Sequence, residues 1–90
     1  MPAANAGVAV QTSTNTVDVR GQSADMAAGD VASAVGGAAA GAVLFVVHGV
    51  GTGRVRAAVL KELARQRRVA RSEEAEGSQG GCTVVYIVER

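Results

Sequence analysis

The residues of this 90-residue chain best suited to chemistry are Asp18, Arg20, His48 and the glycine loop that follows His48. Asp18 and Arg20 are two apart, which in an extended segment puts both on one face. His48 closes an apolar run and opens the stretch His48-Gly49-Val50-Gly51-Thr52-Gly53, after which a helical period begins at Arg54. Glycine admits positive φ and lets the backbone approach another molecule closely. A strand, a glycine loop and a helix start leave unpaired N–H groups at the positive end of a helix dipole, a site for an anion such as phosphate. Gly49, Gly51, Thr52, Gly53 and Arg54 are therefore candidate phosphate contacts, and Arg54, directly behind the last glycine, is the best placed.

Each of these residues also has a plainer use. The loop can be a tight strand-to-helix connection, although three glycines exceed what a turn needs. His48 either closes its strand by hydrogen bonding the loop backbone or moves a proton, since imidazole ordinarily titrates at about 6.5. Asp18 either braces its own turn, orients His48 or holds a divalent ion; one carboxylate is thin for Mg²⁺, which usually takes one or two plus phosphate oxygens. Arg20 either pairs with Asp18 or uses its planar fork on a phosphate and the charge that develops there. Cys82, the only cysteine, reads as a small strand hydrophobe rather than a nucleophile.

The charge distribution points the same way as the loop. Net charge is +1, yet residues 54–71 carry seven basic groups against Glu62 alone, whereas residues 1–53 and 72–90 are both net negative. Lys61, Arg65 and Arg68 join Arg54 on one side of a helix at about 100° per residue, opposite Val55, Val59, Leu60 and Leu63. Such a stripe is either a solvated face or a polyanion contact, and the scarcity of acidic partners favours contact. No aromatic stacking platform accompanies it: Phe45 lies mid-strand and Tyr86 reads as core. Recognition of backbone and shape, weakening steeply with salt, is the expectation.

Positioning these groups requires a small α/β domain. Residues 1–14 have no usable period and read as a flexible leader or linker, leaving 15–90 as the domain. The expected elements are a strand over 15–20, a helix from Ser23 or Asp25 to about 40, a strand over 43–48, and a helix over 54–67. Strands over 69–74 and 83–89 complete the chain. The first helix is the weakest, because Gly29, Gly36 and Gly37 each cost about 0.5–1 kcal/mol relative to Ala, and a break near Gly36 is expected. The last strand is apolar on both faces and belongs in the interior of the sheet. The order β-α-β-α-β-β predicts a two-layer α/β sandwich with a four-stranded mixed sheet and two helices mainly on one face. The first two strands should be parallel, with Asp18, Arg20 and His48 at their carboxyl ends, where open α/β sheets take ligands. No apolar run approaches the roughly 20 residues of a membrane span. A lone cysteine and the absence of a secretory leader predict an intracellular protein, cytoplasmic or organellar.

Three stretches carry a family resemblance: VDVRGQSADMA (17–27), VLFVVHGVGTGRVRAAVLKELARQ (43–66) and GGCTVVYIVE (80–89). Together they resemble the Smr (small MutS-related) domain. In that family an LDxH or LDxR motif ends the first strand, an HGxGxG loop follows the second, and a TxV-type strand closes the sheet. Val17-Asp18-Val19-Arg20-Gly21 corresponds to the first motif in its arginine form, and residues 48–53 match the second in full. The arginine form is similar to the version at the C-terminus of MutS-like ATPases that restrain recombination in bacteria and plastids, which makes a plastid one possible compartment. The resemblance implies a nucleic-acid-binding domain, often an endonuclease that nicks DNA and in some members RNA. Asp18, Arg20 and His48 become its catalytic candidates, and Mg²⁺ or Mn²⁺ its candidate cofactors. The chain carries no ATPase motif, so a module of a larger recombination or repair protein is expected, monomeric when isolated.

The readings that remain are a nicking nuclease on DNA (branched or single-stranded) or RNA, a binding module without chemistry, and a small dinucleotide or phosphate-sugar binder. Glu73, about 20 residues past the loop, suits the third, but the spacing is G-x-G-x-G rather than the dinucleotide G-x-G-x-x-G. A P-loop is excluded, because no Gly-Lys-Ser/Thr follows.

Overall fold

A computed structural model describes residues 10–89. Its elements run β1 (Thr16–Asp18), α1 (Ala24–Gly37), β2 (Val43–Val47), α2 (Arg54–Arg65), β3 (Val69–Glu74) and β4 (Cys82–Ile87). The sheet order is β1-β2-β4-β3. β1 lies parallel to β2 with Thr16 opposite Phe45 and Asp18 opposite Val47, and β4 is antiparallel to both of its neighbours. The expected four-stranded mixed sheet with two helices is therefore present, and β4 is interior.

Alternation along the strands explains why both helices share one face. Leu44 and Val46 of β2 and Val85 and Ile87 of β4 meet Val19, Ala27, Val31 and Val35 from the first crossover and Val59 and Leu63 from α2 in one buried core. Phe45, Cys82 and Val84 point the other way and form a smaller cluster on the face the helices leave uncovered. Tyr86 belongs to that face too, half-buried, with the Arg71 guanidinium 3.8 Å over its ring and its hydroxyl donating to Glu73 Oε2 (3.2 Å). The core position expected for it goes instead to its neighbours Val85 and Ile87.

α1 buries only Ala27, Val31 and Val35, so it needs help at both ends. Ser23 caps its start, its Oγ accepting from the Met26 N–H (3.2 Å). The helix stops at Gly37, short of residue 40 and close to the expected glycine break. Its last turn has no basic residue of its own, and Arg68 supplies the missing donor from 33 residues away: Nη1 donates to Val35 O (2.7 Å) and lies 3.3 Å from Gly36 O. α2 ends at Arg65, two residues earlier than expected, where Gln66 turns extended.

Of residues 1–14, positions 1–9 lie outside the described residues. Thr12 to Asn15 form a turn in which Asn15 Oδ1 accepts from the Thr12 N–H (2.7 Å) and Asn15 Nδ2 donates to Val10 O (3.0 Å). Among the described residues no helix is long and apolar enough to cross a membrane.

Because Arg68 adds a charged donor to final carbonyls that otherwise have only the Ala38 N–H on Val35 O (3.3 Å), Arg68→Ala is expected to lower unfolding stability by about 1–2 kcal/mol. Denaturant unfolding followed by circular dichroism measures this, and an unchanged midpoint would contradict the capping role.

Candidate functional site

Parallel pairing of β1 and β2 brings their carboxyl ends to one rim, and both helices start from it. Val19 still donates its N–H to Val47 O (2.9 Å), so the chain is held beside β2 as far as Arg20. The glycine loop is tied to β4 by a single carbonyl: Gly81 O accepts from the N–H of His48 (3.0 Å) and of Gly49 (2.9 Å). A side chain at 81 would be crowded, since a Cβ there would lie 3.2 Å from Ser78 O and 3.4 Å from a Val50 methyl. Gly49 (φ 78°) and Gly53 (φ 85°) take left-handed conformations, and a Cβ on Gly49 would press on the Arg20 stem at 3.3 Å. Arg20 thus lies across the loop backbone.

The start of α2 is open. Gly53 is its cap residue and offers no side chain, the Thr52 hydroxyl reaches the Arg54 N–H only at 3.4 Å, and the first ladder bond is Ala57 N–H to Gly53 O (2.9 Å). No acidic residue stands in the first turn. The amides of Val55 and Arg56 are therefore left without a partner in the helix, and that of Arg54 has only the long threonine contact, at the positive end of the dipole with two arginine side chains around them. α1 presents the contrast, with a serine cap and Asp25 in its first turn.

Two adjoining grooves meet at this rim. One, of about 160 Å³, is lined by the loop and by Arg54, Val55 and Arg56. The other, of about 610 Å³, is lined by Arg20, Gly21, Gly49, Ser78 and Cys82 among others, and His48 and Val50 line both. The structure thus brings Arg20, His48, Gly49, Gly51, Thr52, Gly53 and Arg54 to one place.

Asp18 holds Arg20. Its Oδ1 accepts from Arg20 Nε (2.9 Å) and from the Arg20 backbone N–H (3.1 Å), and its Oδ2 accepts from Nη2 (2.7 Å). Both side chains are largely exposed, so the pair contributes little to stability. What it fixes is direction: the inner edge of the guanidinium is taken by Asp18, and the remaining N–H groups on Nη1 and Nη2 are left to point outward. The side-chain hydrogen bond from Arg20, with help from its backbone N–H, lowers the Asp18 carboxyl to about 2, and Asp18 in turn raises the Arg20 guanidinium.

His48 is only 6% exposed. Its Nε2 is 2.8 Å from Thr83 Oγ1, and its Nδ1 is 3.3 Å from Gly49 O. A carbonyl can only accept, so Nδ1 is the donor to Gly49 O; in the neutral ring of that tautomer Nε2 accepts from the threonine hydroxyl. The ring braces the loop, and Thr83 rather than Asp18 orients it. Thr83 stood in the sequence as the first residue of the TxV strand, which was the available signal for it.

The remaining basic candidates lie elsewhere. Lys61 and Arg65 line a shallow depression between the helices with Asp25 and Glu62, and Arg65 Nη1 pairs with Glu62 Oε1 at 3.3 Å. Arg68 is the α1 cap already described. Arg56 joins the loop groove although it falls off the helical stripe, because residues of a first turn surround the helix end whatever their angle on the wheel. Cys82 lies at the floor of the larger groove, and burial pushes its thiol up, keeping it protonated.

Among the described residues no group of three His, Cys, Asp or Glu side chains is placed to hold a metal ion, and both Asp18 oxygens are occupied by Arg20. These residues do not fit a resident Mg²⁺ or Mn²⁺ site.

A family model described as the Smr domain matches residues 17–90. The chain belongs to the Smr domain family. It is 33% identical over 82 residues to the Endonuclease MutS2 of a Synechocystis species, a match that covers 89% of this chain and 10% of that protein. This Smr domain therefore spans about a tenth of the length of that relative. The crystal structure of the Smr domain of Thermus thermophilus MutS2 superposes with a TM-score of 0.73 at 31% identity, covering 81% of this chain and 96% of the other.

The clamp makes a direct prediction. A carboxyl lowered to about 2 from an ordinary value of about 3.9 keeps its ion pair complete above pH ~4 and loses it as pH falls through about 2. A carbon-detected NMR titration of Asp18 should show that low midpoint, and Arg20→Ala should return it towards about 3.9. An ordinary midpoint in the unaltered domain would contradict the bidentate pair.

Proposed function

We propose that this Smr domain binds a phosphodiester backbone at the open start of α2 and acts on it as a nicking nuclease module, with DNA as the first substrate to test and RNA as the alternative. The observation that carries the reading is the uncapped first turn of α2, flanked by Arg54 and Arg56 and adjoining the groove that holds Arg20. One phosphate would rest on the amides of the first turn, with the free outer edge of Arg20 beside it or beside the next phosphate along the strand. In hydrolysis a water oxygen bonds to phosphorus and gives up a proton to solvent while the P–O ester bond breaks and the leaving sugar oxygen takes a proton from solvent. Arg20 would neutralise the charge that builds on the phosphoryl oxygens, in an orientation Asp18 has already set. The endonuclease named among its relatives supports hydrolysis as the chemistry, and the unbalanced basic charge of residues 54–71 supports a polyanionic partner.

A second reading is favoured by one specific observation. Both oxygens of Asp18 and both ring nitrogens of His48 are engaged within the protein, so no free side-chain base faces the groove from this set. In that case the module places a larger protein on nucleic acid without cutting it.

Conversion of supercoiled plasmid to open circles, with and without Mg²⁺ or Mn²⁺ and with a structured RNA in parallel, separates the two. The nuclease reading expects Arg20→Ala to reduce nicking by about 10²-fold or more while a gel shift still shows binding. Arg54→Ala should weaken binding several-fold and lower the slope of log affinity against log salt by roughly one. Pure protein that binds but never nicks establishes the second reading, and protein that does not bind at low salt removes both.

A further inference from the structure

We propose that Val50 is an apolar contact for an unpaired nucleotide, resting against the base or sugar next to the captured phosphate and so giving the domain a preference for unstacked strands. The inference rests on the phosphate-binding reading above and adds a specificity that the phosphate contacts cannot supply.

A single exposed valine is ordinary on a protein surface. Val50 differs in its setting. It is 76% exposed at the crest of the glycine loop, and it lines both grooves, with the amides of α2 on one side and Arg20 on the other. Its neighbours Gly49 and Gly51 (φ 78° and 153°) allow the backbone to lift this one side chain out. One of its methyls is seated over Gly81, 3.4 Å from where a Cβ would be, and β-branching stiffens χ1. With the residue 76% exposed, most of the side chain is open to a ligand, and little rotamer entropy is left to lose when something covers it. The other apolar side chain lining the small groove, Val55, is partly buried against the core, so Val50 is the exposed apolar group beside the place where phosphate would sit.

A phosphate brings its own sugar and base with it. In a duplex the faces of the bases are covered by stacking and only the charged backbone meets the loop. In a single strand, a flap or a bulge those faces are free, and an apolar side chain beside the backbone can cover one. Apolar wedges at kinked base steps work by the same physics. With no aromatic platform at this rim, Val50 is the group able to make that contact.

Fluorescence anisotropy at low salt, using one oligonucleotide as a single strand and as a hairpin duplex of equal length, tests the inference. The unaltered domain should bind the single strand more tightly. Val50→Ala should weaken single-strand binding by roughly 3–10-fold, the effect of removing buried methyl groups, and duplex binding by less than about twofold. Val50→Leu, which keeps an apolar side chain, should retain most of the preference. A 2-aminopurine placed along the single strand should show a fluorescence change with the unaltered domain that Val50→Ala diminishes. If Val50→Ala leaves the preference intact, or if Ala and Leu weaken both nucleic acids alike, the inference is overturned while phosphate capture stands. If the unaltered domain binds neither nucleic acid, the phosphate-binding reading falls and this inference falls with it.

Discussion

The carbonyl of Gly81 is the contact on which the rest of the rim depends. By accepting from two successive amides, those of His48 and Gly49, it stops β2 at a fixed point and directs the chain outward into the glycine loop. Ser78, Gly49 and Val50 pack closely around residue 81 and would have to give way to any side chain there. With that point held, α2 begins where the loop delivers it, uncapped and without an acidic residue to satisfy its dipole. A buried helix start with unmet amides would be destabilising; this one faces solvent and a groove, where an external anion can satisfy it.

Two other devices surround this one, one exposed and one buried. The Asp18–Arg20 pair is exposed on both sides, so its worth lies in aiming a guanidinium. The His48–Thr83 hydrogen bond crosses from β2 to β4 under the loop and keeps the ring from swinging out. The buried side chains that hold the domain together, chiefly valines on β2, β4, α1 and α2, lie on the helix-covered face behind the rim. The exposed rim side chains Arg20, Val50 and Arg54 stand apart from that core, so substitutions at these three can be read as effects on the site.

Most of the fold was legible from periodicity. The apolar run ending at Val47, the amphipathic face of α2 and the β-branched last strand each had one sensible reading, and the parallel pairing of β1 with β2 followed from the crossover. The glycine loop and the Asp18–Arg20 spacing identified the rim, and the motifs around them resembled the family that the comparisons then showed. What could not be read was which partner each polar group would choose. Arg68 belonged to a basic stripe on the helical wheel, yet α1 ends in glycines with no basic residue in its last turn and draws Arg68 away. Thr83 and Gly81 act on the loop across a strand pairing whose register is set by the whole sheet. Tyr86 went to the uncovered face because a one-residue choice of register decides every side chain on a strand.

The central claim is that an anion is captured by the backbone at the start of α2. Its most direct measurement is an amide-resolved NMR titration of the domain with a short oligonucleotide at low salt. The account predicts the largest shifts at Gly51, Gly53, Arg54, Val55 and Arg56, with Arg20 following and the changes fading as salt is added. Stationary signals there, with the response instead on the uncovered sheet face around Tyr86, would contradict it.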